Sequence, residues 1–396
     1  MAEIDFVRVI ASIVAAELAG LRKTSALIAP LALITAETEL GEAGLAVDSL
    51  ELLRLAASVN EFFHLHETSV EEYLLHHRTV GAWAEIVQNA WAVWHERLTF
   101  RTSGSNREPK RCTHWFSRLA QEVEFHATTL SGTRRVLSGV PCHHIYGFIF
   151  TVLLPARLAT EVHDIRAWSP ARLKWEVREG DLLVAAPSLW EYLSRSIDRF
   201  DAAVHGVTST SSCPAHLFTR LQEQGVMLTE IYGSSETGGV ASRSRPQDPF
   251  ALFPFWERAD ESLWRKPTEA IAGERFELMD EFSWTSPRSF MVGRRRDGAV
   301  QVGGINVFPA QVAARMATHP AVKECAVRLM APSEGDRLKA YVVWREISPG
   351  AATVEELQNW IRREFNTPER PVSLVFGVSL PRNELGKLQD WAITVP

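Results

Sequence analysis

The chain of 396 residues is 46% hydrophobic and 23% charged, a soluble globular balance with enough length for two or three cored domains. Its net charge of -6 offers no basic field to nucleic acid or to an acidic membrane surface. No stretch is apolar enough for a bilayer span, Glu3 and Asp5 stand where a signal peptide carries lysines, and Cys112, Cys142, Cys213 and Cys325 form no CxxC pair; the expectation is reduced thiols in the cytoplasm.

Residues 1–95 read as helical. Phe6, Ile10, Ile13, Val14 and Leu18 recur at helical spacing, as do Leu50, Leu53, Leu55 and Val59, and Thr79-Val80-Gly81 opens a further helix. From Leu98 the texture changes. LTFRTS is followed by a helix around Trp115 to Leu130, and the apolar runs VLSGV, FIFTVLL, ATEV and DLLVAAPS alternate with helical patterns. That alternation predicts an α/β fold with a largely parallel sheet. Beyond Arg294 a smaller α/β pattern follows: AVQVGGINVFP, a helix over Ala310 to His319, KECAVRLM, KAYVVW, the helix VEELQNWIRREF and SLVFGVSLP. The predicted division is 1–95, 96–294 and 295–396, with the second boundary at Gly293-Arg294-Arg295-Arg296-Asp297-Gly298.

Two segments carry chemistry. FRTSGSNREPK, Phe100 to Lys110, is a Ser/Thr/Gly-rich loop closed by a lysine. Small residues let backbone N–H groups approach an anion, hydroxyls add donors, and Lys110 supplies a compact charge for phosphate. YGSSETG, Tyr232 to Gly238, sets Glu236 behind two serines, a hard oxygen ligand for the metal that phosphate chemistry needs. The pair points to ATP used to activate a substrate.

Together with GRRRDGAVQVGGINVFP and PRNELGK, in this order, these segments resemble the adenylate-forming ligase superfamily over roughly residues 97 to 396. The resemblance implies activation of a carboxylic acid with Mg-ATP to an acyl adenylate, then transfer of the acyl group to a thiol, with a small C-terminal domain rotating between the two steps. It places Thr102, Ser103, Gly104, Ser105 and Lys110 on the phosphate loop, although Asn106-Arg107 stands where the family continues Thr-Gly. Tyr232 and Gly233 fall beside the adenine, Ser235 at the α-phosphate and Glu236 on magnesium. His144, Tyr146 and Gly147 match the segment that lines the acyl pocket. Asp280, with Glu281 as the alternative, and Arg294 fall on the ribose, Asp297 on the hinge, and Lys387 on the C-terminal catalytic lysine, whose charge relieves repulsion between carboxylate and α-phosphate.

The front of the chain departs from the family, which has a long α/β region before the phosphate loop. LGEAGLAVDSLE, Leu40 to Glu51, followed by a helix, is similar to acyl carrier proteins, whose serine carries phosphopantetheine; Ser49 is the matching residue. The other reading is a simple helix start capped by Asp48 or Ser49. No Gly/Ser/Pro linker follows, which favours a docked, carrier-derived domain over a swinging arm. Size, short front and Tyr146 resemble the bacterial coumarate–CoA ligases linked to photoactive yellow protein, and equally ligases that load hydroxybenzoate-type starters onto carriers. The implied substrate is an aryl carboxylic acid. The implied acceptor is CoA first and an acyl carrier protein, in cis or trans, second. A reading of another class is a silent regulator that binds adenylates.

Overall fold

A computed structural model describes residues 4–22, 33–101, 110–331, 333–345, 350–382 and 388–393. The residues divide into two compact units. The first takes residues up to 101, 110–278 and 284–291; the second takes 279–283 and the chain from 292 onward.

The first unit opens with helices. α1 (Phe6–Leu21) buries Phe6, Ile10, Ile13, Val14 and Leu18. α2 (Ser49–Phe63) begins in a capping box, Asp48 accepting from the Glu51 N–H while Glu51 reaches back to the Asp48 N–H. Its buried stripe is Leu52, Leu55, Ala56, Val59, Phe62 and Phe63. Leu50 and Leu53, expected on that stripe, are 72% and 50% exposed, because they fall off the line that runs from Leu52 through Leu55 and Val59 to Phe62 and Phe63. α3 (Tyr73–His76) and α4 (Val80–Val93) complete this layer. The helices are built into the unit. Arg8 donates to the Thr151 carbonyl, Ser12 Oγ lies 2.7 Å from His143 Nδ1, and Phe62 packs edge-on against Phe100 and Phe148.

β1 (Arg97–Arg101) and β2 (Arg111–Trp115) pair antiparallel, with Arg101 opposite Arg111. α5 (Phe116–Thr129) leads into the large sheet. Its parallel part is β3 (Arg135–Ser138), β4 (Glu161–Asp164), β5 (Asp181–Ala185), β6 (Val204–Thr208) and β7 (Val226–Ser234), in the order β4-β3-β5-β6-β7. β5 is buried at every residue: Leu182 to Ala185 form the apolar run of a strand covered on both faces, and Asp181 at its start is paired with Arg135. The sheet turns antiparallel at β8 (Gly238–Arg243) and β9 (Phe250–Leu252). β10 (Trp256–Ala259), β11 (Ser262–Arg265) and β12 (Glu274–Glu277) form a separate three-stranded sheet. The hairpin of β13 (Asp280–Ser286) and β14 (Ser289–Arg295) ends the large sheet and carries the chain into the second unit.

FIFTVLL is not a strand. It lies in a continuous helical stretch over 145–158 whose middle, Ile149–Leu153, is wound as a π-helix. Every residue of that middle is buried, Thr151 included with its hydroxyl donating to the Gly147 carbonyl, so the segment carries no period that separates helix from strand.

The second unit pairs β15 (Val300–Val302) with β16 (Ile305–Val307), and β17 (Val322–Leu329), β18 (Leu338–Trp344) and β19 (Pro371–Gly377) form a three-stranded sheet. The helices Pro309–Met316 and Ala351–Glu364 accompany them, with Met316, Leu357 and Ile361 in its core. Lys339 on β18 is fully buried and binds Glu334 at 2.7 Å and the Trp391 carbonyl at 2.6 Å. Among the described residues, no helix is long and apolar enough to cross a membrane.

Candidate active site

The parallel strands end at one edge, where open α/β sheets place their ligands. β7 ends on Ser234, and the turn after it carries Ser235, Glu236 and Thr237 before β8 returns. Glycine is required at both its shoulders. A Cβ on Gly233 would stand 2.1 Å from the Gly238 carbonyl oxygen, and one on Gly239 would stand 2.3 Å from Glu122 Oε1. Ser234 and Thr237 tie the turn internally, Thr237 Oγ1 accepting from the Ser234 N–H at 3.0 Å. Glu236 is thereby presented outward, its side chain 43% exposed.

Lys110 meets it. Lys110 Nζ donates to Glu236 Oε1 at 2.7 Å. The bond to Glu236 raises the Lys110 ammonium above its ordinary value. Burial alone would raise the Glu236 carboxyl, but the bonds from Lys110 and Ser234 outweigh it and hold the group below the usual carboxylate range. The residue expected at phosphate and the residue expected at metal therefore stand together, both ionised at neutral pH. Thr102, Ser103, Gly104 and Ser105 lie outside the described residues. The stem of their loop is held from below, because Glu61 on α2 pairs with Arg101 at 2.8 Å and with Arg111 at 2.9 Å.

Two supports of the Glu236 turn escaped the sequence reading. His114 on β2 is buried, and its Nε2 lies 2.7 Å from the Ser235 carbonyl. A carbonyl only accepts, so Nε2 carries the hydrogen; burial lowers the His114 pKa and keeps the ring neutral. Glu122 on α5 is 2% exposed and takes the Gly239 N–H on both oxygens at 3.1 Å. Both had a signal. RCTHW alternates exposed and buried, which turns His114 inward, and Glu122 stands with Leu119, Val123 and His126 on the buried stripe of α5. A charge on a core-facing stripe needs a partner.

Tyr232 lies in β7 with its ring beside Phe250 and Phe290, at 5.7 and 5.5 Å between centroids. His144 caps the helix that carries Tyr146 and Gly147. Burial, then the nearby Arg166 charge, lowers its pKa, so the imidazole is neutral at neutral pH. A Cβ on Gly147 would stand 2.0 Å from the Pro141 carbonyl oxygen, so only glycine lets the helix start there. Tyr146 is buried, and its hydroxyl lies 2.9 Å from the Val207 carbonyl and 3.3 Å from the Ala185 carbonyl, near the ends of β6 and β5. Its proton is spent on backbone, and its oxygen keeps acceptor capacity.

In the second unit, Asp280 opens β13 and Arg294 lies on β14; the Arg296 N–H bonds the Met279 carbonyl across this hairpin, so the two residues occupy neighbouring strands. Asp297 is gripped by Arg295 at 2.7 and 3.0 Å and takes the Ala299 N–H at 3.0 Å. Lys387 lies outside the described residues. Both flanks of its segment are held: Arg382 bridges Leu388, and Arg328 donates to the Leu388 carbonyl at 2.7 Å.

Three curated proteins, each named 4-coumarate–CoA ligase, align with most of this chain. Those of Halorhodospira halophila and Cereibacter sphaeroides are each 36% identical, over 90% and 88% of this chain and 91% and 84% of their own. That of Rhodobacter capsulatus is 34% identical over 92% of this chain and 94% of its own. The chain belongs to the adenylate-forming, AMP-binding enzyme family. As a member it is an AMP-forming acid–thiol ligase. The family pattern described as AMP-binding enzyme matches residues 90–261, and that of the AMP-binding enzyme C-terminal domain matches 311–387. The first span holds the β1–β2 hairpin and the Glu236 turn, and the second ends on Lys387. The alignment with the Halorhodospira protein spans more residues than follow the start of β1, so it reaches into the helical front. Solved structures agree on the fold: o-succinylbenzoate CoA synthetase of Bacillus subtilis at TM-score 0.57 and 19% identity, covering 74% of this chain and 67% of that one, and a malonyl-CoA ligase at 0.55 and 19%, covering 72% and 71%.

Proposed function

We propose that this enzyme joins an aromatic carboxylic acid of the 4-coumarate type to CoA through an acyl adenylate. The observation that carries the reading is the pairing of Lys110 with Glu236 at the carboxyl edge of a sheet that also holds the buried Tyr146 phenol. The names of the three relatives supply the acid class.

In the first step a carboxylate oxygen of the acid attacks the α-phosphorus of ATP, and pyrophosphate leaves with the bonding pair. Lys110 and the loop at 102–105 take the phosphate charge, and Ser235 stands at the α-phosphate. The exposed Glu236 carboxylate is a hard oxygen donor and fits magnesium, which when bound neutralises phosphate oxygens. With nucleotide and metal bound, Lys110 would turn to phosphate and Glu236 would hold the metal. Lys387 stabilises the charge that gathers between carboxylate and α-phosphate. In the second step the CoA sulfur, as thiolate, attacks the acyl carbon, and AMP leaves. Tyr232 lies beside the adenine, Asp280 and Arg294 hold the ribose, and His144, Tyr146 and Gly147 line the acid pocket. Asp297 is the pivot between the two steps.

One observation favours a second reading, transfer to phosphopantetheine on Ser49 or on a separate acyl carrier protein: Ser49 is exposed at the first turn of α2. Intact mass after coexpression with a broad phosphopantetheinyl transferase tests the arm in cis, and unmodified protein is expected. The main test is a pyrophosphate-release screen over aryl and fatty acids with and without CoA. Release with 4-coumarate and CoA-dependent thioester are expected. A medium-chain fatty acid outcompeting every aryl acid would sink the acid assignment, and no release with any acid would leave an adenylate-binding regulator.

A further inference from the structure

A second cluster of ligand-type side chains lies at the end of α2, outside the machinery described above. His64 closes the helix in a left-handed conformation, and a 3-10 turn, Leu65–Thr68, follows. Leu65 is 1% exposed and pins this turn to the core, while His66 and Glu67 stay exposed and His64 is half-buried. His64, His66 and Glu67 each offer a ligand atom, and the three atoms lie within 4.8 Å of one another.

The outer atoms of these side chains are already held. Asn60 Oδ1 accepts the His66 backbone N–H at 3.0 Å, which fixes it as an acceptor, and it lies 3.2 Å from His66 Nδ1. In the neutral ring Nδ1 therefore carries the hydrogen and Nε2 the lone pair. That Nε2 stands 4.0 Å from Glu67 Oε1, so two electron-rich atoms face one another across a cation-sized gap. His64 Nε2 lies 2.8 Å from the Thr99 hydroxyl on β1, which leaves Nδ1 for a ligand. Glu67 Oε1 takes a bond from Arg97 at 3.0 Å. Arg97 is the charge that opposes a cation here, but a carboxylate has about four lone-pair sites and Arg97 occupies one. A ligating histidine usually has its other ring nitrogen held by an oxygen, and here Thr99 and Asn60 supply one each.

We propose that His64, His66 and Glu67 bind a divalent cation of the zinc class at the junction of α2 and β1. Two imidazoles and one carboxylate suit a borderline transition ion better than magnesium or calcium, which take oxygen. A tetrahedral zinc with bonds of ~2.1 Å holds its ligands about 3.4 Å apart. The exposed His66 and Glu67 reach that spacing by side-chain rotation, and water completes the fourth position. All three ligands lie on one turn, which the His64–Thr99 bond already sets against β1.

The test uses tag-free, chelator-stripped full-length protein titrated with zinc sulfate against a chromogenic zinc indicator, with melting followed in parallel. One saturable equivalent and a zinc-dependent rise in Tm are expected. Because His66 and Glu67 are exposed, H66Q and E67Q keep the fold, which far-UV circular dichroism checks, and each should weaken zinc by more than tenfold and lose the Tm response. Wild-type binding weaker than about 100 µM overturns the proposal. So does an equivalent that survives in the H64Q/H66Q double variant.

Discussion

At the residue scale, the proposed acid selectivity rests on where one proton goes. The Tyr146 hydroxyl donates into the backbone at Val207 and Ala185, so toward a substrate it acts only as an acceptor. A para-hydroxyl on the acid is a donor and matches it. Wild type should then prefer 4-coumarate over cinnamate in kcat/KM by the ~1–3 kcal/mol of a buried polar group paired or left bare. Tyr146→Phe should remove most of that preference and keep turnover of cinnamate, since the ring still fills its place. An unchanged ratio in the variant would show that Tyr146 only packs. His114 is the second test at this scale. Removing it leaves the Ser235 carbonyl without its buried donor, at a cost of about 1–3 kcal/mol. His114→Ala should raise KM for ATP tenfold or more, about 1.4 kcal/mol, while KM for the acid stays within twofold. Equal rises in both constants would mean general unfolding instead of a loosened Glu236 turn.

At the element scale, the helical front carries a load. α2 contributes Glu61, which pairs with Arg101 on β1 and Arg111 on β2, on either side of the segment proposed to hold phosphate. Burial would raise the Glu61 carboxyl, but the bonds and charges of Arg101 and Arg111 prevail and lower it. A lowered carboxylate adds stability that is fully present above its unfolded value of about 4.3 and is lost as pH falls through the folded value. Wild type should thus lose stability in denaturant melts as pH falls below about 4.3, and Glu61→Gln should flatten that part of the profile and raise KM for ATP. Identical acid limbs in the two proteins would remove Glu61 from the account. These elements also mark how far the sequence could be read. α1 was legible because its helical period is clean, and the parallel strands because short apolar runs alternate with helical patterns. FIFTVLL was not, since burial on all sides erases the difference between a strand and a π-wound helix. Leu50 and Leu53 were placed on the wrong face because they fall off the line that runs from Leu52 through Leu55 and Val59 to Phe62 and Phe63.

At the scale of the whole molecule, ordered loop motifs named the chemistry, because phosphate and metal demand particular side chains at fixed spacing. Lys110 and Glu236, 126 positions apart, form an ion pair. Buried supports such as His114 and Glu122 serve only once a fold surrounds them, so no motif announced them. The proposed pivot is tested by Asp297→Pro. Proline at Asp297 removes the carboxylate that Arg295 and Ala299 hold and fixes φ. Adenylation should survive and transfer to CoA should fall at least tenfold, about 1.4 kcal/mol, in single-turnover assays; unimpaired transfer would move the pivot elsewhere. The most direct test of the central claim, that this chain makes an aryl adenylate with a dedicated lysine, is pyrophosphate release from 4-coumarate and ATP in wild type and Lys387→Ala. The account predicts a loss of about two to four kcal/mol in adenylation, a hundredfold or more, with thioester formation from presynthesised coumaroyl adenylate largely retained. Equal activity of the two proteins in pyrophosphate release, or equal loss in both half-reactions, would contradict it.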